Sequence, residues 1–189
     1  MTAPDETARL LQQLLLYALL PLWMLTGFAD WLCHRVQRIE RSAGLKESAL
    51  HLLMIAELGV GISAALLLEV NAAVLVLLVL CAIAHELTMW LDLAYAASKR
   101  RIAVVEQWVH GLQQTLPWIG LAMLMVIHRD QVLALVGRGS VAADWSVRMK
   151  QPPLPAPMLI GLFAAAAIVV LVPFVQEALR GIRQRRQPR

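Results

Sequence analysis

The hydrophobic residues of this chain fall into five long runs that are separated by short polar stretches. The runs cover about residues 10–34, 45–68, 72–98, 102–127 and 158–176. Each run is close to the roughly 20 residues that an α-helix needs to cross the apolar core of a bilayer. The pattern therefore predicts an all-α integral membrane protein with about five transmembrane helices in a single domain, residues 1–189. It also predicts an outer loop, residues 128–157, and a basic cytoplasmic tail, residues 177–189.

The composition agrees with membrane spans and argues against a nucleic-acid partner. Apolar residues make up 59% of the 189 residues and charged residues only 16%, and the mean hydropathy is +0.64. A soluble domain is nearer half apolar and a quarter charged. The net charge of +4 comes from basic residues at the ends of the apolar runs. That placement is typical of topology signals, and the sequence contains no nucleic-acid-binding motif.

The basic residues also predict how the chain is oriented. Of the 17 lysines and arginines, twelve fall on one side of a five-span topology, in the loop between runs 1 and 2, the loop between runs 3 and 4, and the tail. The positive-inside rule places that side in the cytoplasm. We therefore expect a multi-pass protein of the bacterial inner membrane, with its N-terminus outside and its C-terminus cytoplasmic.

Each of the first four runs carries one carboxylate and one imidazole at helical spacing. The pairs are Asp30–His34, Glu47–His51, His85–Asp92 and Glu106–His110. Residues four or seven apart lie within roughly 40° of each other around an α-helix, so each pair shares a face. Counting from the two basic turns sorts the eight residues by depth. The nearest are His34, Glu47, Asp92 and Glu106; one turn deeper are Asp30, His51 and His110; His85 is deeper still.

This arrangement predicts a metal site in a bundle formed by four of the helices. The two main layers would lie about 6 Å apart along the helix axes, a separation that suits two metal ions bridged by carboxylates, and His85 is left for a third. Imidazole and carboxylate together suit iron, manganese or zinc, and cysteine is absent from the set. Buried ionisable groups are costly in a membrane unless they pair or bind metal. The alternative is that the pairs are ordinary i,i+4 hydrogen bonds and capping charges.

Three further polar residues are candidates for supporting this site. Glu86 follows His85 and would be a ligand itself or hydrogen-bond to a ligand histidine, or else pair with a basic loop residue. Glu40, in the first basic turn, would cover the site or be a solvated loop charge. Gln113 extends the face of Glu106 and His110 toward the membrane centre, where it would line a substrate pocket or join helices.

The residues resemble known proteins at two levels. The arrangement resembles the dimetal (diiron-type) carboxylate four-helix bundles, in which facing helices supply glutamates and histidines to two ions. The spacing departs from that family, because Glu47–His51 and Glu106–His110 are i,i+4 and the typical Glu-x-x-His spacing is i,i+3. Most of the chain also resembles a group of small bacterial integral membrane proteins with paired Asp/Glu–His motifs. That resemblance rests on His34-Arg35, Ile39-Glu40, Ser42-Ala43-Gly44, Glu47-Ser48, His51, Leu68-Glu69-Val70-Asn71 and Glu106-Gln107 with His110. It implies the site but no particular reaction.

These observations lead to three hypotheses for function. The first is an oxidoreductase in which two irons near the cytoplasmic face act on a lipid or quinol that arrives laterally. The second is a zinc- or manganese-dependent hydrolase of a lipid-like substrate. The third is a non-enzymatic metal-binding protein, that is, a sensor, store or transporter. Runs 1 and 3 have few polar residues toward the far face, which disfavours transport. No packing motif specifies a number of subunits, and the sequence is compatible with a homo-oligomer.

Overall fold

The described part of the chain, residues 3–186 of a computed structural model, is built from α-helices. The helices are α1 (Ala3–Leu14), α2 (Leu20–Gln37), α3 (Leu45–Leu67), α4 (Ala72–Lys99), α5 (Val104–Ile127), α6 (Arg129–Leu135), α7 (Ala156–Ala166) and α8 (Val172–Arg186). Two π-helical turns, Leu15–Leu19 and Ala167–Leu171, connect α1 to α2 and α7 to α8. The first and last helices of the bundle are therefore each continuous from one end to the other.

Four of these helices are long and apolar enough to cross a membrane. They are Glu6–Gln37, Leu45–Leu67, Ala72–Lys99 and Ala156–Arg186. Helix α5 meets the same criterion only together with α6, from which it is bent by 93°. The described chain thus has four or five spans, and the prediction of an all-α membrane protein is confirmed.

The first and last helices extend beyond the apolar runs that predicted them. The first begins at Ala3 rather than near residue 10, and the last continues to Arg186 rather than ending near residue 176. Most of the expected tail is therefore helical, while Arg189 lies outside the described residues. The reason is that hydropathy detects only the membrane-length segment. The continuation is held by a buried face that includes Phe174, Glu177 and Gly181.

The bundle that surrounds the predicted site has five members rather than four. Helices α3 and α4 form an antiparallel hairpin, α2 packs against α5, and the last helix packs against both α3 and α2. The predicted bundle of four metal-binding helices therefore gains a fifth helix on one side. At the far end, the outer loop pairs with the α3–α4 turn, where Lys150 N–H donates to Leu67 O at 2.9 Å and Glu69 N–H donates to Arg148 O at 3.0 Å.

The contact between α8 and the start of α3 depends on Gly181. A Cβ atom at this position would lie 3.3 Å from both the backbone nitrogen and the Cα of Leu45. We therefore expect Gly181→Leu to push α8 away from α3 and to lower the melting temperature by several degrees, as overpacking typically costs about 1–3 kcal/mol.

Thermal unfolding in detergent, followed by circular dichroism, measures this effect. The matched control is Gly161→Leu, because a Cβ at Gly161 meets nothing within 4 Å and the gain in helix propensity is similar. Equal melting temperatures for the two variants would show that the α3–α8 contact is not tight.

Candidate metal centre

All eight predicted ligands lie inside the helix bundle. Each of Asp30, His34, Glu47, His51, His85, Asp92, Glu106 and His110 exposes 5% of its surface or less. Burial without compensation is expensive for carboxylates, since removing them from water costs several kcal/mol unless a cation or hydrogen bonds take the place of water. The cations and hydrogen-bond donors around these side chains therefore determine the chemistry of the site.

One cluster of possible ligands joins α2 to α5. It consists of Asp30, His34, Glu106 and His110, and each residue offers an atom that lies within 4.8 Å of the others. His34 Nε2 is 3.3 Å from both Asp30 Oδ1 and Glu106 Oε1, and His110 Nε2 is 3.0 Å from Asp30 Oδ1. The i,i+4 spacing on both helices turns all four side chains toward the same point.

A second cluster joins α2 to α3 and shares one residue with the first. It consists of His34, Glu47 and His51. His34 Nε2 is 3.9 Å from Glu47 Oε1, and the rings of His34 and His51 stack with centroids 4.5 Å apart. Asp92 on α4 lies beside this cluster, with Oδ2 3.3 Å from His51 Nε2. The two groups of ligands are therefore adjacent, as a site for two ions requires.

A residue that we did not predict, Glu177 on α8, holds the two stacked histidines. It is completely buried, and its two oxygens lie 3.0 Å from His34 Nδ1 and 3.2 Å from His51 Nδ1. Because an ionised carboxylate can only accept, both Nδ1–H groups donate to it. Phe174, one turn earlier on α8, packs against both rings. Glu177 thus orients each ring so that its Nε2 faces the other carboxylates.

A second unpredicted residue, Arg100, lies between two of the predicted carboxylates. Its guanidinium donates to Glu47, with Nε 3.2 Å from Oε1, and to Glu106, with Nη1 2.9 Å from Oε2. Gln37 accepts from Arg100 and donates to Glu106. Burial opposes the positive charge, but the hydrogen bonds with Glu106 and Glu47 outweigh it and raise the pKa of Arg100 above its ordinary value. Arg100 is therefore a permanent cation that holds both Glu47 and Glu106 in place at the end of the site beside the α4–α5 turn.

Several buried polar atoms of the site have no hydrogen-bond partner among the described residues. They include His34 Nε2, His110 Nδ1 and Asp92 Oδ1. His34 Nε2 is close to two carboxylates without forming a hydrogen bond of good geometry to either. An unsatisfied buried polar atom costs about 1–3 kcal/mol, and coordination to a metal would remove that cost at His34 and Asp92. The imidazole and carboxylate donors therefore fit a metal ion such as iron, manganese or zinc.

His85 shares a helix face with Asp92 but does not join either cluster. It lies two turns along α4 from Asp92, about 10 Å along the axis. Both of its ring nitrogens are buried without a hydrogen bond of good geometry in the part of the chain that the structure describes, and its one weak partner is the backbone of Gln113. The structure therefore gives no group of ligands for the third ion that its position had suggested.

The supporting residues proposed from the sequence are distributed around the site. Glu86 accepts hydrogen bonds from the indoles of Trp90 and Trp118, each at 3.2 Å, and from Gln114. These partners hold it between α4 and α5 rather than against a predicted ligand. Glu40 lies half-buried in the short 3₁₀ turn after α2.

A large apolar cavity ends at the ligand clusters. Its volume is about 930 Å³, and it is lined mainly by apolar side chains of α2, α3 and the last helix. Asp30, His51 and His85 form part of its wall, together with Gln113. The lining also includes Val60, which is 54% exposed on the lateral surface. The cavity therefore connects the site with the side of the bundle that would face lipid.

Comparison of the chain with models of protein families, with curated proteins and with solved structures gives no match. Its function is therefore inferred from the site itself.

Proposed function

We propose that this chain is an integral membrane dimetal protein of the diiron type. The observation that carries the proposal is the convergence of buried imidazoles and carboxylates around His34. Asp30, His34, Glu106 and His110 would hold one ion. Glu47, His51 and Asp92 would hold the other.

The charge of the site supports two divalent ions. The buried carboxylates are Asp30, Glu47, Asp92, Glu106 and Glu177, and Arg100 is the guanidinium that contacts two of them. With neutral histidines this leaves four negative charges in a region of low dielectric, where uncompensated charge is costly. Two divalent cations would neutralise that charge without protonating any ligand.

The proposed reaction is the oxidation of a lipid or quinol. The support is the apolar cavity, which leads from the lateral surface to Asp30 and His51. Two bound irons would supply the redox chemistry, with O₂ or peroxide as the oxidant. The protein itself would hold the ligand rings through Glu177, fix Glu47 and Glu106 through Arg100, and exclude water with Phe174. Bound zinc or manganese would instead favour hydrolysis of a lipid-like substrate.

The proposed location is the bacterial inner membrane, with the site near the cytoplasmic face. Arg100 in the α4–α5 turn contacts Glu106, which also lies beside His34 at the end of α2, and His34 in turn contacts Glu177 on α8. The basic segments that accompany them therefore lie at one end of the bundle. The positive-inside rule assigns that end to the cytoplasm.

Comparison of separately loaded proteins tests the reaction. Protein in lipid nanodiscs would be loaded with iron, zinc or manganese and assayed with a quinol plus O₂ or peroxide, and with a fluorogenic lipid ester. We expect the iron form to oxidise the quinol over many turnovers, and Glu106→Ala to abolish this activity. Ester hydrolysis by the zinc or manganese form, with no quinol oxidation by the iron form, would replace the oxidoreductase with a hydrolase.

A further inference from the structure

The wall of the apolar cavity includes a polar pair, His85 and Gln113, that the ligand clusters do not use. His85 on α4 is 5% exposed, and neither of its ring nitrogens makes a hydrogen bond of good geometry among the described residues; its one weak partner is the backbone of Gln113. Gln113 on α5 lines the same cavity. The Gln113 backbone can engage only one of the two ring nitrogens, and a buried imidazole nitrogen without a partner is costly to keep in an apolar environment. His85 therefore has an unused capacity to bind a polar group.

The position of this pair separates it from the metal ligands and yet keeps it beside them. His85 is two turns from Asp92 along α4, and Gln113 is one turn from His110 along α5. Both lie farther from the basic turns than the ligands on their own helices. Asp30 and His51 belong to the wall of the same cavity. A molecule that occupies the cavity can therefore contact the polar pair and the ligand clusters together.

We propose that His85 and Gln113 bind the oxygen-bearing head of a quinone or quinol whose hydrocarbon tail fills the apolar part of the cavity. The inference rests on the proposed function only in placing this substrate next to the dimetal site. A neutral imidazole has one N–H donor and one acceptor nitrogen, and the glutamine amide has both kinds of group. The pair can therefore match either a carbonyl or a hydroxyl. His85 is then a substrate-binding residue and not a ligand of a third ion.

The size of the cavity agrees with this occupant. Its volume of about 930 Å³ lies within the roughly 300–1,000 Å³ of ligand pockets, which are mostly apolar with a few placed polar groups. The apolar lining would take an alkyl tail without a polar cost. His85 and Gln113 would then decide which polar head groups bind.

Binding of decylubiquinone to purified, metal-loaded protein in detergent tests the proposal. The dissociation constant is measured by quenching of tryptophan fluorescence, because Trp23 lines the cavity. We expect His85→Phe and Gln113→Leu each to weaken binding about tenfold or more, since each removes a buried hydrogen bond to the ligand. n-Decylbenzene has no oxygen, and its affinity is measured by how well it displaces decylubiquinone. This affinity should be the same in the variants as in the wild type. The control is His128→Phe, at a histidine that lines a different cavity.

Metal analysis of the same samples separates this proposal from the proposed function. His85→Phe should keep the metal content of the wild type; a loss of metal from it would make His85 a ligand and overturn the proposal. Wild-type affinity in folded His85→Phe or, should that variant not fold, in Gln113→Leu would overturn it as well. If wild-type protein binds no metal but the variants still weaken quinone binding, the quinone site stands and the dimetal function fails.

Discussion

Replacement of His34 with alanine should remove both metal ions from the protein. His34 is completely buried. Its Nε2 would ligate one ion, and its ring stacks on the ring of His51, a ligand of the other ion, so its loss removes a ligand from one group and the packing that positions a ligand of the other. We expect the metal content to fall from about two ions per chain, the number typical of such bundles, to nearly none. Glu47→Ala and Glu106→Ala should also lose their metal, because each removes a carboxylate ligand and deprives Arg100 of one of its two carboxylate partners, which leaves an uncompensated positive charge beside the site. Elemental analysis by mass spectrometry of the purified variants measures the effect.

Two comparisons keep this test specific. His128→Ala should retain all of its metal, because His128 lines the other cavity, toward the far end of the bundle. Glu106→Gln preserves the shape of the side chain and removes only its charge, so its metal content reports on ligation more than on folding. Stoichiometric metal in both Glu47→Ala and Glu106→Ala would disprove the assignment of the site.

Replacement of Glu177 with glutamine should weaken metal binding without removing any ligand. The Glu177 carboxylate accepts hydrogen bonds from both His34 and His51, and a glutamine oxygen can accept only with reduced strength while its NH₂ group repels one Nδ1–H. Loss of such supporting partners typically costs 10–100-fold in metal affinity. We expect a loss of about that size for Glu177→Gln, and a larger loss for Glu177→Ala. Competition with a chromophoric chelator measures the affinity.

A half-buried acid, Glu57, provides the matched control for this prediction. Glu57 on α3 accepts a hydrogen bond from Thr88 at 2.8 Å and does not belong to either ligand cluster. Glu57→Gln should therefore bind metal as tightly as the wild type. Equal affinities for Glu177→Gln and Glu57→Gln would show that Glu177 does not position the ligand rings.

The membrane helices could be predicted from the sequence because the bilayer imposes a minimum length on each apolar run. The ends of the helices could not, because beyond the bilayer core their limits depend on packing and on helix propensity. Residues 177–186 illustrate this. They are too polar for a span, but Gly181 allows α8 to approach Leu45 closely and the helix continues there.

The ligand clusters could be predicted in large part because residues four apart share a helix face. Glu177 was missed because its helix carries no histidine, although the spacing of Phe174, Glu177 and Gly181 marks a face that packs inward. In the sequence Arg100 indicates only a topology signal, since a basic turn satisfies the positive-inside rule by itself. Its contact with two carboxylates depends on how α3 and α5 approach each other. The deeper position of His85 was recognised, but a shared face with Asp92 does not bring it to the ligands.

The most direct test of the central claim is elemental analysis of gently purified protein, without chelator or a metal-affinity tag, together with an optical spectrum before and after addition of peroxide. We expect about two irons per chain, as in dimetal carboxylate bundles, and a spectrum that changes with peroxide. The contradictory result is protein that contains no metal and takes up none on titration. In that case the buried carboxylates are neutralised by Arg100 and by protonated histidines, and the cluster is a structural ion-pair network.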